Sequence, residues 1–323
     1  MSGNANVSLG GHRGFTYEYG FTFNQNSPSA SLTVSRMPEI TITLADTVFV
    51  EGNLVFCDEL GDTVNRAGLT ITMTDDAGNS IIVDENGSFP CVAGEYSYIV
   101  YGAGYRYKTG SFTIDEGVTE QEVSIKLETS SANAWDGLTK TEPQTDADGV
   151  YQIGTGAELA WFAAQQDANT AAISGELTAD IDLAGYPWQM KASNGSYATV
   201  LDGAGYKIED LNATVGLFSM LGTNSVLKNL TIYGQIAGTS NAGAFVKYAS
   251  GTNVLIENCV NYASVSGDRT VGGIMGYGNG VTVKNCVNHG DISGTAYVGG
   301  ISGSFAGATT ITDCYNTGNI TAT

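Results

Sequence analysis

Basic residues are scarce in this chain: 13 Lys and Arg stand against 33 Asp and Glu in 323 residues, a formal net charge of −20. Nucleic-acid affinity comes mainly from cationic side chains that displace counterions from phosphates, so that partner class is excluded. Histidine occurs twice, at His12 and His289. Each stands alone, and the chain carries no H-E-x-x-H, nucleophile-elbow or Walker pattern. No apolar run approaches the roughly 18 residues that a membrane-crossing helix needs, so membrane insertion is not expected. Met1 to Asn6 lacks the basic and apolar regions of a signal peptide. Because the composition is acidic, rich in Gly and Tyr and poor in Lys, the chain reads as an internal piece of a longer exported protein. Cysteine is odd in number, five, so at least one is unpaired; whether Cys57 and Cys91 pair stays open. Charged residues make up 14%, yet 42% of the chain is hydrophobic and 10% aromatic, which excludes an acidic disordered tail.

What is abundant is glycine, with 43 residues, and the composition favours strands and turns over helices. Residues 38–128 read as short alternating strands. Ile40/Ile42/Leu44, Leu69/Ile71/Met73, Tyr96/Tyr98/Val100 and Val123/Ile125/Leu127 each keep period two. Turn residues separate them at 75–79, 84–87, 102–104 and 115–117. About seven strands in this span predict an immunoglobulin-like β-sandwich. Residues 1–37 echo its end, since Gly14–Phe23 and Gly104–Ile114 both place aromatics before a Gly and then an alternating strand. The echo fits the terminal strands of a preceding copy, or extra strands of the same sandwich. Residues 129–149 read as a linker. A helix follows: Thr155 and Glu158 form a capping box, and Leu159, Phe162 and Ala163 make an apolar stripe.

Residues 150–323 hold the strongest pattern. Val215-Gly-Leu-Phe218, Ala242-Gly-Ala-Phe245, Val271-Gly-Gly-Ile274 and Val298-Gly-Gly-Ile301 place Gly216, Gly243, Gly272 and Gly299 at intervals of 27, 29 and 27. A second landmark recurs as Asn229-Leu230, Asn258-Cys259, Asn285-Cys286 and Asp313-Cys314. A third is Gln235-Ile236, Ser264-Val265, Asp291-Ile292 and Asn319-Ile320. The units lie near 215–241, 242–270, 271–297 and 298–323. Each holds three short β-runs and no helical stripe, so each predicts one coil of a parallel β-helix, stacked at about 4.8 Å. The usual crossover rule makes it right-handed. Leu177–Leu183 and Thr199–Ile208 read as degenerate earlier coils, and the helix is expected to cap the first of them. The fold class is therefore all-β: an immunoglobulin-like sandwich, then a right-handed parallel β-helix (solenoid) with an N-terminal capping helix.

The run Val-Gly-Gly-Ile, Asn-Cys-Val-Asn and Gly-Asp-Ile-Ser-Gly resembles the GLUG motif of bacterial surface adhesins and of the non-catalytic parts of IgA-specific peptidases. The lead-in is similar too: Trp135-Asp-Gly137, Asp148–Gly154, Ala157–Ala163 and Ala179–Leu183. The resemblance covers roughly 135–323; Asp313 in place of Asn and Leu230 in place of Cys depart from it. Residues 38–128 resemble the carboxypeptidase-regulatory or PEGA-type modules of such proteins. The resemblance implies an extracellular, bacterial cell-surface location and a non-catalytic adhesin stalk or ligand-binding module, with host or cell-surface glycans or proteins as partners. It also leaves room for an accessory region of a secreted peptidase or glycosidase, and for a β-helix polysaccharide enzyme.

Weighed one by one, the chemistry-bearing residues assign no catalytic, cofactor or metal residue. Leu230, Cys259, Cys286 and Cys314 fall on one inward line, as small buried hydrophobes. Asn229, Asn258 and Asn285 predict amides bonded from coil to coil. The repeat glycines mark positive φ or close backbone approach. Asp180 and Asp182 are expected on one strand face, but a hydrolase needs partner acids on neighbouring coils, and Asp202 sits in a turn. Asp146 and Asp148 begin like a Ca²⁺ loop, which fails at Val150 and Ala157. His289 aligns with Tyr262 and Thr317, a surface position that varies. Tyr96, Tyr98, Tyr101, Tyr105 and Tyr107 fit packing as well as ligand contact. The last coil, Val298–Thr323, is expected to leave an open edge for end-to-end self-association.

Overall fold

Period-two patterning becomes strand after strand. The computed structural model describes residues 50–118, 120–168, 172–189 and 198–323, with the strands Ser2–Gly3, Phe21–Thr22, Ala30–Leu32 and Ile40–Ile42. Among the described residues the chain is all-β apart from one helix, Gly156–Ala168. His12, and the Gly14–Phe23 echo apart from Phe21–Thr22, lie outside them. The chain divides into two compact units: Met73–Ser97 and Ser111–Val123 with the strands up to Leu54, and Val55–Thr72 with Tyr98–Gly110 and Ser124–Thr323.

Val50–Cys57, Ser88–Cys91 and Glu120–Lys126 form a three-stranded sheet, and Leu69–Asp75, Ser80–Ile81, Gly94–Gly102 and Tyr105–Ile114 a four-stranded one. Alternation sorts their side chains as the sequence predicts: Met73, Tyr96, Val100, Ile125 and Leu127 are buried. In the first unit Phe89, Tyr96 and Phe112 pack ring against ring, with centroids 5.5–6.3 Å apart. Cys57 and Cys91 are both free thiols.

Within the second unit lies a parallel β-solenoid of about six turns. Its three sheets run through corresponding segments of successive coils. The first follows Tyr151–Ile153, Ile173–Leu177, Thr199–Asp202, Val226–Lys228, Val246–Glu257, Met275–Lys284 and Ser302–Ala306. The second includes Lys207–Ala213, Thr231–Ala237, Ser264–Gly267 and Ile292–Gly294, and the third Ala242–Gly243, Thr270–Gly272 and Tyr297–Gly299. The two degenerate coils belong to it: Ile173–Leu177 pairs in parallel with Thr199–Asp202, and Ile181–Asp182 with Lys207–Ala213. Equivalent residues stack: Leu201, Leu227, Ile256, Val283 and Ile311 on the first sheet, and Ile236, Val265, Ile292 and Ile320 on the second. Each Leu, Ile or Val fully buried in these rows contributes about 1.5–3 kcal/mol.

Thr155 and Glu158 close the helix start, with the returning bond taken from Gly154 rather than from the Thr155 amide. The Glu158 amide donates to Thr155 Oγ1 at 3.3 Å, and the Glu158 carboxylate accepts from the Gly154 amide at 2.8 Å. Leu159, Phe162 and Ala163 are buried in one cluster with Ile153 and Leu177 of the first coil. The 129–149 stretch has no helix or strand, yet it is anchored. Trp135 is buried, its amide donating to Asp182 O and its indole N–H to Thr139 O.

The cysteine row faces inward. Leu230, Cys259 and Cys286 are at most 1% exposed. Cys259, Cys286 and Cys314 each place Sγ 3.1–3.3 Å from the carbonyl two residues earlier, and all three are free thiols. Burial pushes the Cys259 thiol well above its ordinary value. The asparagines before them form the expected outer ladder, with Nδ2 of Asn258 and Asn285 donating to the preceding Oδ1 at 3.0 and 3.2 Å. Their backbones also take a left-handed turn, φ 52–54°, at Asn229, Asn258, Asn285 and Asp313. That conformation favours Asn and Asp, so here positive φ belongs mainly to the amide row. Of the repeat glycines Gly216 has it, φ 116°. Gly272 instead makes a close approach: a Cβ there would lie 2.2 Å from Met275 O.

A second asparagine row lies inside the solenoid. Asn261 and Asn288 are fully buried in register with Asn316. Each Nδ2 reaches the carbonyl two residues ahead (Ala263, Gly290, Gly318) at 2.7–2.8 Å. Asn261 and Asn288 also donate to the next Oδ1 at 2.7 and 2.6 Å. Gly273 makes the room, since a Cβ there would meet Asn288 Cγ at 2.3 Å. Removing the Asn288 amide strands its buried partners, so Asn288→Ala is expected to cost about 1–3 kcal/mol in urea unfolding. Cys286→Asp places an unpaired charge in the same interior and should cost about 3–5 kcal/mol. A wild-type unfolding midpoint for Cys286→Asp would mean that the thiol row does not face inward.

Candidate functional site

The acidic residues singled out in the sequence are not brought together. Asp180 is exposed and accepts from the Lys207 amide at 3.1 Å, whereas Asp182 is 8% exposed. Asp182 stands in register with Glu209, whose carboxylate Lys207 bonds, and Lys207 Nζ also lies 3.9 Å from Asp180. The two acids thus flank the buried Ile181 as expected but differ in burial, because the second carboxylate is taken up in a structural network. Arg106 Nη1 donates to Asp182 Oδ1 at 3.0 Å, and the amides of Ala184 and Ser131 donate to the same carboxylate at 2.8 and 3.3 Å. Arg106 also pairs with Asp210. Burial by itself would raise the Asp182 carboxyl; the amides and the guanidinium outweigh it and hold it below its usual value.

Asp202 closes its own turn onto the Ala204 amide and pairs with Lys228 Nζ at 2.8 Å. Asp146 likewise accepts from the amides of Asp148 and Val150, closing a turn. Among the described residues no three His, Cys, Asp or Glu side chains are grouped to hold a metal ion. In the tyrosine-rich stretch Tyr96 is buried, its hydroxyl bonded to Val92, while Tyr101 and Tyr107 stack on each other and pack against Tyr186.

Two outer faces of the solenoid differ in chemistry. On the first sheet Asp202, Lys228, Glu257 and Lys284 stand in register with alternating sign, closed by ion pairs of 2.8 and 2.9 Å. The second sheet carries mostly uncharged groups in two parallel rows. Tyr233, Tyr262 and His289 stack face to face, with centroids 4.7 and 4.6 Å apart. His289 Nδ1 continues to Thr317 Oγ1 at 2.6 Å. Two residues along each coil come Gln235, Ser264, Asp291 and Asn319, and Asn319 donates its amide and Nδ2 to Asp291 Oδ1 at 2.9 Å.

At one end of these rows opens a cleft of about 460 Å³ lined by Arg106, Lys108, Asp210, Asn212, Gln235 and Ser264. Asn212 donates to Gly185 O at 2.9 Å and accepts from Gln235 Nε2 at 3.4 Å, fixing its floor. Sequence reasoning missed this face. The signal was there in Tyr233, Tyr262 and His289 at matching repeat positions, but two residue types at one position read as variation. No protein-family model matches the chain, and no curated protein or solved structure is detectably similar to it.

The Asp182 network carries a pH signature. A carboxyl held below its unfolded value of about 3.9 stabilises the fold above that pH and loses the effect as pH falls through the folded value. Asp182→Asn should therefore lower stability by about 1.5–3 kcal/mol at neutral pH. The gap from wild type should narrow in thermal melts stepped from pH 5 to pH 3.

Proposed function

We propose that this chain is a non-catalytic part of a bacterial cell-surface protein, serving as an adhesin-type stalk and ligand-binding module. In this reading the N-terminal sheets form an immunoglobulin-like sandwich of the carboxypeptidase-regulatory or PEGA type, the solenoid is right-handed, and the helix is its cap. The repeats are of the GLUG kind, and the location is extracellular. One observation carries the reading: a solenoid whose coils stack in register presents a broad outer face of repeated, pre-positioned polar and aromatic groups. Such a surface suits recognition of an extended partner. The commitment of Asp180, Asp182 and Asp202 to hydrogen bonds and ion pairs within the solenoid supports a role without catalysis.

The test is a glycan and matrix-protein array probed with the whole chain, beside incubation with a panel of polysaccharides assayed for released sugar. Saturable capture without sugar release is the expected outcome. Release of reducing ends would overturn the non-catalytic reading, and a blank array would overturn the binding one.

A further inference from the structure

We propose that the outer face of the second sheet binds a neutral, linear oligosaccharide laid along the solenoid axis. The claim rests on the binding-module reading and names its ligand class and site. Three features of the face lead there. First, its chemistry repeats as a pair on three successive coils, Tyr233 with Gln235, Tyr262 with Ser264 and His289 with Asp291, so each of these coils offers a ring edge beside a hydrogen-bonding group. Coils recur at about 4.8 Å, close to the length of one pyranose in an extended chain, so successive sugars meet successive pairs.

Second, nothing bulky separates the rows. Between the paired side chains lie Gly234, Ala263 and Gly290. Ala263 is fully buried and Gly234 and Gly290 carry no side chain, so none projects between the rows there. Third, the groups are already ordered. Tyr233 and Tyr262 lie within 2° of parallel, and Asn319 ties down Asp291, so little side-chain entropy remains to be lost on binding. The cleft beside Arg106 continues the face, because Gln235 and Ser264 line it.

The charge selects among glycans. A chain of net −20 repels polyanions, and the flanking cations are engaged, Arg106 by Asp182 and Asp210 and Lys108 near Glu128 at 3.9 Å. The mode of contact is also set by the geometry. Tyr262 is covered on both faces, by Tyr233 and His289, so its exposed edge and hydroxyl meet the sugar rather than its flat face. Hydrogen bonding from the phenol therefore matters more than stacking at this position.

Calorimetric titration of the whole chain with cellohexaose, xylohexaose and mannohexaose, with hexagalacturonic acid as the charged control, tests this. At least one neutral hexasaccharide should bind saturably and the polyanion should not. Tyr262→Phe keeps the ring stack and removes the hydroxyl, and Gln235→Ala removes an amide from the second row. Each should weaken binding by at least about tenfold while the melting temperature stays at the wild-type value. Neutral-sugar binding untouched by both variants would overturn the site. Failure of every neutral hexasaccharide, with capture of a protein or charged glycan retained on the array, would overturn the ligand class and leave the binding module standing. Silence in both assays would overturn both.

Discussion

In a parallel solenoid each residue has its counterpart one coil away directly above it, at the spacing set by the inter-strand hydrogen bonds. Every side chain must therefore tolerate a near-copy of itself at about 4.8 Å. Inside, aliphatic residues meet that demand by dispersion and exclusion of water, as in the Leu201 to Ile311 row. Asparagine meets it by chemistry, because an amide both donates and accepts and a column of amides satisfies itself. The interior row at Asn261, Asn288 and Asn316 goes further by bonding each amide to the carbonyl two residues ahead, which holds the bend between two strand segments. The second glycine of Val-Gly-Gly-Ile follows from the same demand, since Gly273 leaves the volume that Asn288 fills.

Outside, the same constraint forces a choice at each face. Stacked carboxylates would repel, and with 33 acidic residues the chain cannot leave many of them aligned. On the first sheet the solution is alternation of sign along Asp202, Lys228, Glu257 and Lys284. These half-exposed pairs are each worth little to stability, but from Asp202 onward they prevent a column of like charge. On the second sheet the solution is neutrality: rings stack on rings, and the Asp291 carboxylate is met by Asn319 rather than by another acid. The two faces thus differ in what they leave for a ligand. The first is self-compensated charge, the second ring edges, hydroxyls and amides.

The coil period, the inward thiol row, the outer amide row and the capping box of the helix were all legible, because each repeats at a fixed interval or follows a local rule. The interior asparagines were not. At Asn261 and Asn288 a polar residue occupies a core position, and no pattern of apolar alternation identifies it. The split between Asp180 and Asp182 was also hidden, since it depends on Arg106, a residue 76 positions away in the chain. The 129–149 segment read as a linker from its composition, and Trp135 alone hinted at how it is held. The Tyr233, Tyr262 and His289 stack escaped for a different reason. Tyrosine and histidine are interchangeable as flat rings but not as letters.

The acids of the solenoid bear on what the molecule does. Glycoside hydrolysis through a pair of carboxyls requires one of them to hold its proton near neutral pH, which calls for burial or a like-charged neighbour to raise its pKa. The reverse holds at Asp182 and Asp202. Both are partly removed from water, yet hydrogen bonds and a cationic partner keep each carboxyl below its ordinary value. Such groups are fixed charges that hold a turn and an arginine in place, poor as proton donors and already occupied as ligands. Asp182 and Asp202 are thus engaged in building the coil stack, while the second sheet turns ring edges, hydroxyls and amides to solvent beside His289 and Asp291. The proposed binding role rests instead on the repeated groups of the second sheet, which stand in register from coil to coil.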